Sequence, residues 1–485
     1  MSSEQHEQPP LKLAFIHPDL GIGGAERLVV DAAVAAQSKG HQVTIYTSHH
    51  DANHCFEETK DGTLTVRVIG DSLPRHIFGK FYIVCAILRQ MALAGWLLQY
   101  NRNTYDVLFI DQLSACIPFL KWFSSSRVLF YCHFPDKLLA KRGSWLREMY
   151  RQVFDKLEEL STGLADTIVV NSGFTGGMFR RSFPSILKKP RVLYPPINFD
   201  AYDRAIDLSD PRVQLLDSPK KTLLSINRFE RKKNVELALR AFAELKNSNM
   251  IPDTVFCNYR LVLAGNSKAN QSIEKPKINN VSIFACVGGY DKRVQENVDY
   301  LNELDDLATN TFHLTTARIF TDTTTRPLDD AQVIFVCSFN DAQRTYLLAN
   351  SEILLYTPTN EHFGITPVEG MYASVPVIAT NTGGPLETVK DKETGLLLPP
   401  DPKLWADGIG GFISGEFDGK AMGRNGRSHV KSKFSLPTFA DQLDDILEEL
   451  MSGGRPTKHY YMNAEFVIRI VVAVAIVYLW YQYCL

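Results

Sequence analysis

The chain reads as an α/β protein built from two Rossmann-like domains that face one cleft. Three observations predict this class. Apolar, β-like runs alternate with helical segments from residue 11 onward, as parallel sheets with crossover helices require. A second series of the same kind begins at residue 222, after residues 200–221, which show neither period. In both series, turns bearing glycine or charge follow strand ends, where open α/β sheets hold ligands.

The first series opens with a strand at 11–17 and a glycine-rich turn, Pro18 to Arg27, that contains Gly23 and Gly24. A helix at 28–39 follows, with Gly40 as its stop signal, and then a strand at 42–47. The turn lacks the GxGxxG spacing of dinucleotide sites. Two readings stand for its glycines: a ligand-holding loop, or a tight turn alone. Further strands are expected at 63–69, 105–111, 127–132 and 166–171. Residues 81–100 are apolar except for Arg89, Gln90 and, near the end, Gln99, and predict a helix. It is either a core helix or one with a face toward lipid.

The second series places strands at 222–226, 259–264, 332–337, 352–356, 376–380 and 395–398, with a helix at 235–245. Two stretches fit poorly. Residues 266–287 show no clear period, and residues 311–326 are threonine-rich. Both are expected as inserted loops. The expected organisation is a polar tail (1–10), a first Rossmann-like domain (11–199), a linker (200–221) and a second Rossmann-like domain (222–434). An amphipathic helix (435–450), a second linker (451–464) and a membrane anchor (465–485) follow.

The anchor rests on composition. From Phe466 to Leu485 the only charge is Arg469, and about twenty helical residues span the hydrocarbon thickness of a bilayer. Tyr478, Trp480, Tyr481 and Tyr483 suit the far interface. The competing reading is a buried core helix. The N-terminal residues have no apolar core, so no cleaved signal peptide is expected. The whole chain carries a net charge of −2, which gives no ground for nucleic-acid binding. The eight cysteines lack paired spacing, and Cys85, Cys132, Cys257 and Cys337 lie in apolar runs. They read as reduced core thiols.

Four stretches carry candidate chemistry. Arg228 and Lys233 follow the strand at 222–226, and cations on such a loop are placed to hold a diphosphate. The run Glu361-His362-Phe363-Gly364-Ile365-Thr366-Pro367-Val368-Glu369 joins a strand to a helix. Backbone N–H groups from Phe363 to Thr366 would face an anion, with Glu361 and Glu369 toward the two ends of an elongated ligand. The alternative is that both glutamates only favour a helix start. Gly383-Gly384 with Glu387 repeats the theme after the strand at 376–380: Glu387 either shapes a sugar pocket or opens the next helix. His133 ends the strand at 127–132, where it could hydrogen-bond a reacting hydroxyl or serve as a structural histidine. No DxD pair or acidic–histidine set supports a metal site, so metal-independent chemistry without a cofactor is expected.

Together these residues resemble the retaining glycosyltransferases of GT-B fold. Longer blocks narrow the resemblance: His17 to Arg27, Phe130 to Asp136, Ser225 to Asn234, Gly288-Gly289-Tyr290-Asp291 and Tyr356 to Ile365. They are similar to the eukaryotic alpha-1,3/1,6-mannosyltransferases of lipid-linked oligosaccharide assembly. That resemblance implies GDP-mannose as donor and mannosyl-chitobiosyl-diphosphodolichol as acceptor. It implies two successive transfers in N-glycan precursor synthesis, on the cytosolic face of the endoplasmic reticulum membrane, beside other mannosyltransferases of the pathway. It also implies roles: Glu361, Lys233, Arg228 and His133 in catalysis. Gly23, Gly24, Phe363, Gly364, Ile365, Thr366, Glu369 and Glu387 would bind the donor, and His133 and Asp136 the acceptor. In the family the strand ending Leu263-Ala264-Gly265 runs almost directly into Gly289, so 266–287 is a departure here. A non-catalytic scaffold, or another dolichol- or GPI-pathway transferase, is the alternative.

Overall fold

The structure is a computed structural model, and it describes residues 9–76, 82–139, 145–248, 250–266 and 290–453. The chain forms two compact units. One holds the chain up to Tyr194 and the returning segment from Leu436; the other holds Pro195–Ser435.

The first unit contains β1 (Lys12–His17), β2 (Gln42–Thr47), β3 (Thr65–Val68), β4 (Val107–Asp111), β5 (Arg127–Cys132), β6 (Thr167–Val170) and β7 (Arg191–Val192). They form one parallel sheet in the order β3-β2-β1-β4-β5-β6-β7. Every residue of β4 and β5 is buried, as expected for central parallel strands covered by helices on both faces. Strand order reverses between β1 and β4. The carboxyl ends of these strands therefore border a crevice, the usual ligand position in such a sheet.

The second unit contains β8 (Lys221–Ile226), β9 (Tyr259–Asn266), β10 (Thr316–Ile319), β11 (Val333–Phe339), β12 (Ser351–Tyr356), β13 (Val377–Thr380) and β14 (Gly395–Leu398). Its sheet is also parallel, in the order β10-β11-β9-β8-β12-β13-β14. Here the reversal lies between β8 and β12. The loops after these two strands carry Arg228, Lys233 and Glu361.

The final helix, Leu436–Ser452, belongs to the first unit. It packs against the helix Gly24–Ser38, burying Phe439, Ala440, Leu443, Ile446, Leu447 and Leu450. That three-and-four spacing is the apolar stripe read from the sequence, and each large side chain contributes about 1.5–3 kcal/mol by leaving water. His41 and Asp444, 2.9 Å apart, and Lys39 with Asp441, 2.5 Å apart, border the same contact.

Several expectations change. Residues 200–221 are not a free linker. Tyr202 donates to Glu369, Arg260 donates to the Leu216 carbonyl, and Gln343 donates to the Arg212 carbonyl, so the segment is built into the second unit. Residues 311–326 are not a plain loop, because Thr316–Ile319 is edge strand β10, paired with β11 from Thr316↔Val333 to Ile319↔Val336. A four-residue edge strand with mostly half-buried side chains has too little apolar alternation to be read locally. Strand β7 has only two residues and was missed for the same reason. Cys257 is exposed, while Cys85, Cys116, Cys132 and Cys337 are buried free thiols.

The helix Tyr82–Tyr100 has one packed face, with Cys85, Arg89, Gln90, Leu93, Ala94 and Leu97 buried, while Leu88 and Tyr100 are exposed. By length and composition it could cross a membrane. Both sequence readings therefore keep a part of it: a core face exists, and an apolar outer face remains. Most of the expected N-terminal tail, most of the expected insert at 266–287 with Gly288 and Gly289, and the expected anchor at 465–485 lie outside the described residues.

Candidate active site

In the second unit, the loop after β8 is held from below. The buried Thr357 hydroxyl donates to the Lys233 carbonyl at 2.7 Å, and the Asn234 backbone is left-handed (φ 48°), which turns the chain into the next helix. Phe229 is buried and its carbonyl accepts from Asn297 at 3.0 Å. These anchors leave the Lys233 ammonium paired with the Glu361 carboxylate across the sheet reversal. Arg228 pairs with Glu230 at 2.9 Å, beside them. Burial pulls Lys233 below the ordinary lysine range, and Glu361 opposes that shift. Burial would raise Glu361, but the adjacent Lys233 holds its carboxyl below the ordinary range.

The loop after β12 is pressed against the loop after β13. The Gly384 N–H donates to the Glu361 carbonyl at 2.7 Å, and the Asn360 N–H donates to the Thr382 hydroxyl at 3.1 Å. A Cβ on Gly384 would lie 2.1 Å from the Phe363 carbonyl oxygen. A Cβ on Gly383, whose φ is +71°, would lie 2.6 Å from that of Glu361. Both glycines are thus demanded by contact between two backbones. Gly364 (φ 83°) ends the loop in a left-handed turn and caps the helix Ile365–Tyr372, so the chain bends between the two glutamates. Phe363 is buried against Phe434, whereas Ile365 is exposed and Thr366 partly buried at the helix start.

Glu369 lies inside that helix and is 4% exposed. Its Oε1 accepts from the Tyr202 hydroxyl at 2.6 Å and from Arg344 at 2.8 Å. Beneath both glutamates sits Tyr356, whose phenol is raised well above its usual range by burial and then by Glu361. Tyr202 and Arg344 carried no signal in the sequence, and Tyr356 was given no role although it opens one of the resembling blocks, because what matters is contact with other loops and helices. Glu387 opens the short helix Pro385–Thr388 and its backbone carbonyl accepts from Lys433 at 3.2 Å.

In the first unit, His133 follows β5 as expected, and its Nε2 lies 3.0 Å from Asp111 Oδ2. Asp111 ends β4 and is fully buried. Its other oxygen lies 2.7 Å from Nδ1 of the buried His17, which ends β1. Asn171 donates to the His133 carbonyl at 3.0 Å. Thus three neighbouring strands place His17, Asp111 and His133 in one row at their carboxyl ends. Burial would lower His17, but the Asp111 charge raises it to about 10. The reverse holds for Asp111, kept below the carboxylate range by His17 and His133 against burial. Asp111 and His17 received no role from the sequence, although His17 opens one of the resembling blocks, because their carboxylate–imidazole contact joins residues 94 positions apart.

Gly23 caps the helix Gly24–Ser38 in extended backbone, and the Glu26 carboxylate occupies the space its Cβ would fill. A Cβ on Gly24 meets nothing within 4 Å. Gly24→Ala is therefore expected to leave the melting temperature unchanged or raised, because alanine favours the first helical turn by up to about 1 kcal/mol. If the backbone there approaches a ligand, transfer falls by at least about tenfold. Calorimetry and initial rates on the same preparation check both.

Asp136 pairs with Arg151 at 2.7 Å, and its N–H donates to Glu158 at 2.8 Å. Burial pushes the Glu158 carboxyl up to about 7, opposed by the Asp136 and Lys137 N–H groups. The folded chain keeps a proton here that the unfolded chain releases above the ordinary 4.5. Glu158 therefore lowers stability progressively as pH rises from about 4.5 to about 7, by roughly 3 kcal/mol, and has no further effect outside that window. Denaturant melts at about pH 5 and pH 8 should show this extra loss in the parent chain and not in Glu158→Gln.

Among the described residues no group of three or more His, Cys, Asp or Glu could hold a metal ion. The arrangement offers instead a cation–carboxylate pair at one sheet reversal and an imidazole–carboxylate–imidazole row at the other.

The Glycosyl transferases group 1 family matches residues 208–288 and 329–429, and Glycosyltransferase Family 4 matches residues 22–201. The chain is 64% identical over 441 residues to the alpha-1,3/1,6-mannosyltransferase ALG2 of Rhizomucor pusillus, covering 91% of this chain and 92% of that one. The ALG2 enzymes of Dictyostelium discoideum and Saccharomyces cerevisiae are 42% and 41% identical. Each alignment covers 92% of this chain, with 99% and 86% of those. Among solved structures, sucrose-phosphate synthase from Thermosynechococcus elongatus superposes with a TM-score of 0.65 at 19% identity, covering 92% of this chain and all of that one. The glycosyltransferase WaaG gives a TM-score of 0.57 at 15% identity, covering 91% of this chain and all of that one. These two likenesses establish the GT-B fold. Given that fold and the relatives' near full-length identity, the chain belongs to the ALG2 family of alpha-1,3/1,6-mannosyltransferases.

Proposed function

We infer that this chain is a retaining mannosyltransferase that makes an alpha-1,3 and an alpha-1,6 linkage. The observation that carries the reading is the Lys233–Glu361 pair, held at the sheet reversal by two interlocked glycine loops, in a chain 64% identical to an enzyme of that name. The donor is GDP-mannose. The acceptor is mannosyl-chitobiosyl-diphosphodolichol and then its singly extended product, during assembly of the N-glycan precursor. The work is done at the endoplasmic reticulum membrane, with the catalytic body on the cytosolic side.

The residues divide the chemistry as follows. Lys233, Arg228 and the N–H groups at the start of the helix Ile365–Tyr372 hold the diphosphate and stabilise the charge that develops as GDP departs. Their fixed cations allow transfer without a metal. Glu361 binds mannose hydroxyls and exchanges part of its pairing with Lys233 for them when donor enters. Glu369, its rotamer set by Arg344 and Tyr202, holds the ribose. Glu387 borders the donor from the neighbouring loop. Gly23 and Gly24 let the backbone approach the donor, and His133 with Asp136 serves the acceptor. No side chain is assigned as a nucleophile; transfer takes place on the face from which GDP leaves, through an oxocarbenium-like state, which retains configuration.

The full chain in lipid, given GDP-mannose and acceptors bearing one, two or three mannoses, tests this. Extension of the first two acceptors and not the third is the expected outcome. Extension of the third alone, or no product at all, would sink the assignment.

A further inference from the structure

The buried row in the first unit is more than a support for β1 and β4. Asp111 is fully buried yet touches two imidazoles, His17 Nδ1 at 2.7 Å and His133 Nε2 at 3.0 Å. His17 has a further neighbour: its Nε2 has no hydrogen-bond partner and lies 3.9 Å from Glu26, a charge contact too long for a hydrogen bond. In order along the row the groups are Glu26, His17, Asp111 and His133. The end groups Glu26 and His133 are 22% and 23% exposed, while His17 and Asp111 between them are buried, so of the two imidazoles only His133 reaches solvent.

An ionised carboxylate accepts hydrogen bonds and donates none. With both oxygens against ring nitrogens, Asp111 requires an N–H on His17 Nδ1 and on His133 Nε2. That leaves Nδ1 as the acceptor nitrogen of a neutral His133 ring. The ring is also set in place by Tyr131, with centroids 4.9 Å apart.

We propose that Asp111 is a positioning residue for transfer: it locks His133 as the Nε2–H tautomer, so that Nδ1 accepts a hydrogen bond from a hydroxyl of the sugar or acceptor. His17, held in turn by Asp111 and facing Glu26, keeps the carboxylate from turning away. This rests on the assignment of His133 to substrate contact given above.

The test uses the full chain in lipid with nitrogen-labelled histidine, comparing the parent, Asp111→Asn and His133→Gln. The His133 signals are those missing from His133→Gln. Asp111→Asn alone leaves the His17 cation without its nearest counter-ion and could unfold the unit. The paired variant D111N/H17Q therefore removes both charges together. The parent is expected to show one protonated and one bare His133 nitrogen. The variants at position 111 should show mixed tautomers and transfer slowed by about 10²-fold, with the melting transition retained. D111N added to His133→Gln should cost nothing further, since it acts through that ring. Parent-like rates in D111N or D111N/H17Q, or slowed transfer with an unchanged His133 nitrogen pattern, would overturn the role of Asp111 while leaving the function standing. A parent chain without product would instead overturn the functional reading itself.

Discussion

Alanine at Lys233 or at Glu361 is expected to lower mannosyl transfer by about 10²–10³-fold, the scale seen when a preorganised electrostatic group is removed from an active site. The two side chains form a partly buried ion pair, with side-chain exposures of 13% and 22%. Each therefore depends on the other in the empty chain. Lys233→Ala leaves the Glu361 carboxylate near Arg228 and above the Tyr356 phenol. Glu361→Ala leaves a lysine already pulled down by burial, and now without its counter-charge. The two losses should not add: the double variant is expected to be no slower than the worse single one within about a factor of ten, because both disable one diphosphate–sugar clamp. Single-turnover rates with GDP-mannose and a synthetic acceptor, alongside melting curves, give the answer. Near-parent turnover in either single variant would remove that residue from catalysis.

Alanine at Gly384 is expected to destabilise the second unit by about 3 kcal/mol and to abolish measurable transfer. The added methyl would sit 2.1 Å from the Phe363 carbonyl oxygen and 2.4 Å from its carbonyl carbon, and these are backbone atoms with no rotamer to change. One of the two loops must move, which breaks the Gly384 N–H bond to the Glu361 carbonyl. Overpacking of this kind costs about 1–3 kcal/mol, sometimes more, and a unit of this size would lose roughly 5–10 °C in melting temperature. Because Glu361 rides on the displaced loop, activity should be lost even at temperatures where the unit remains folded. A Gly384→Ala chain with parent stability would mean that the two loops are not in contact in solution.

Much of the fold was legible because its signals are local. The strand at 127–132 coincides with β5, and those at 105–111 and 259–264 overlap β4 and β9, since central parallel strands are continuous apolar runs bounded by turn residues. The misreadings share a cause. Strands β7 and β10 lie at sheet edges, where few side chains are buried and no period develops. Residues 200–221 look like linker because their partners are distant: Tyr202 reaches Glu369 across 167 positions.

The same division runs through the candidate site. The sequence by itself determined which turns lie at strand ends, that one carries Arg228 and Lys233, and that another carries Glu361 with glycines nearby. Strand period and turn chemistry act over a few residues, so they can be read in order along the chain. Only the tertiary structure decided the pairings. It set Lys233 against Glu361, gave Glu369 to Tyr202 and Arg344, and lined up His17, Asp111 and His133, of which the first two are 94 positions apart. It also returned the last helix to the first unit. These are consequences of strand order. Which carboxyl ends become neighbours depends on how the sheet is wound, and no property of any single strand encodes that.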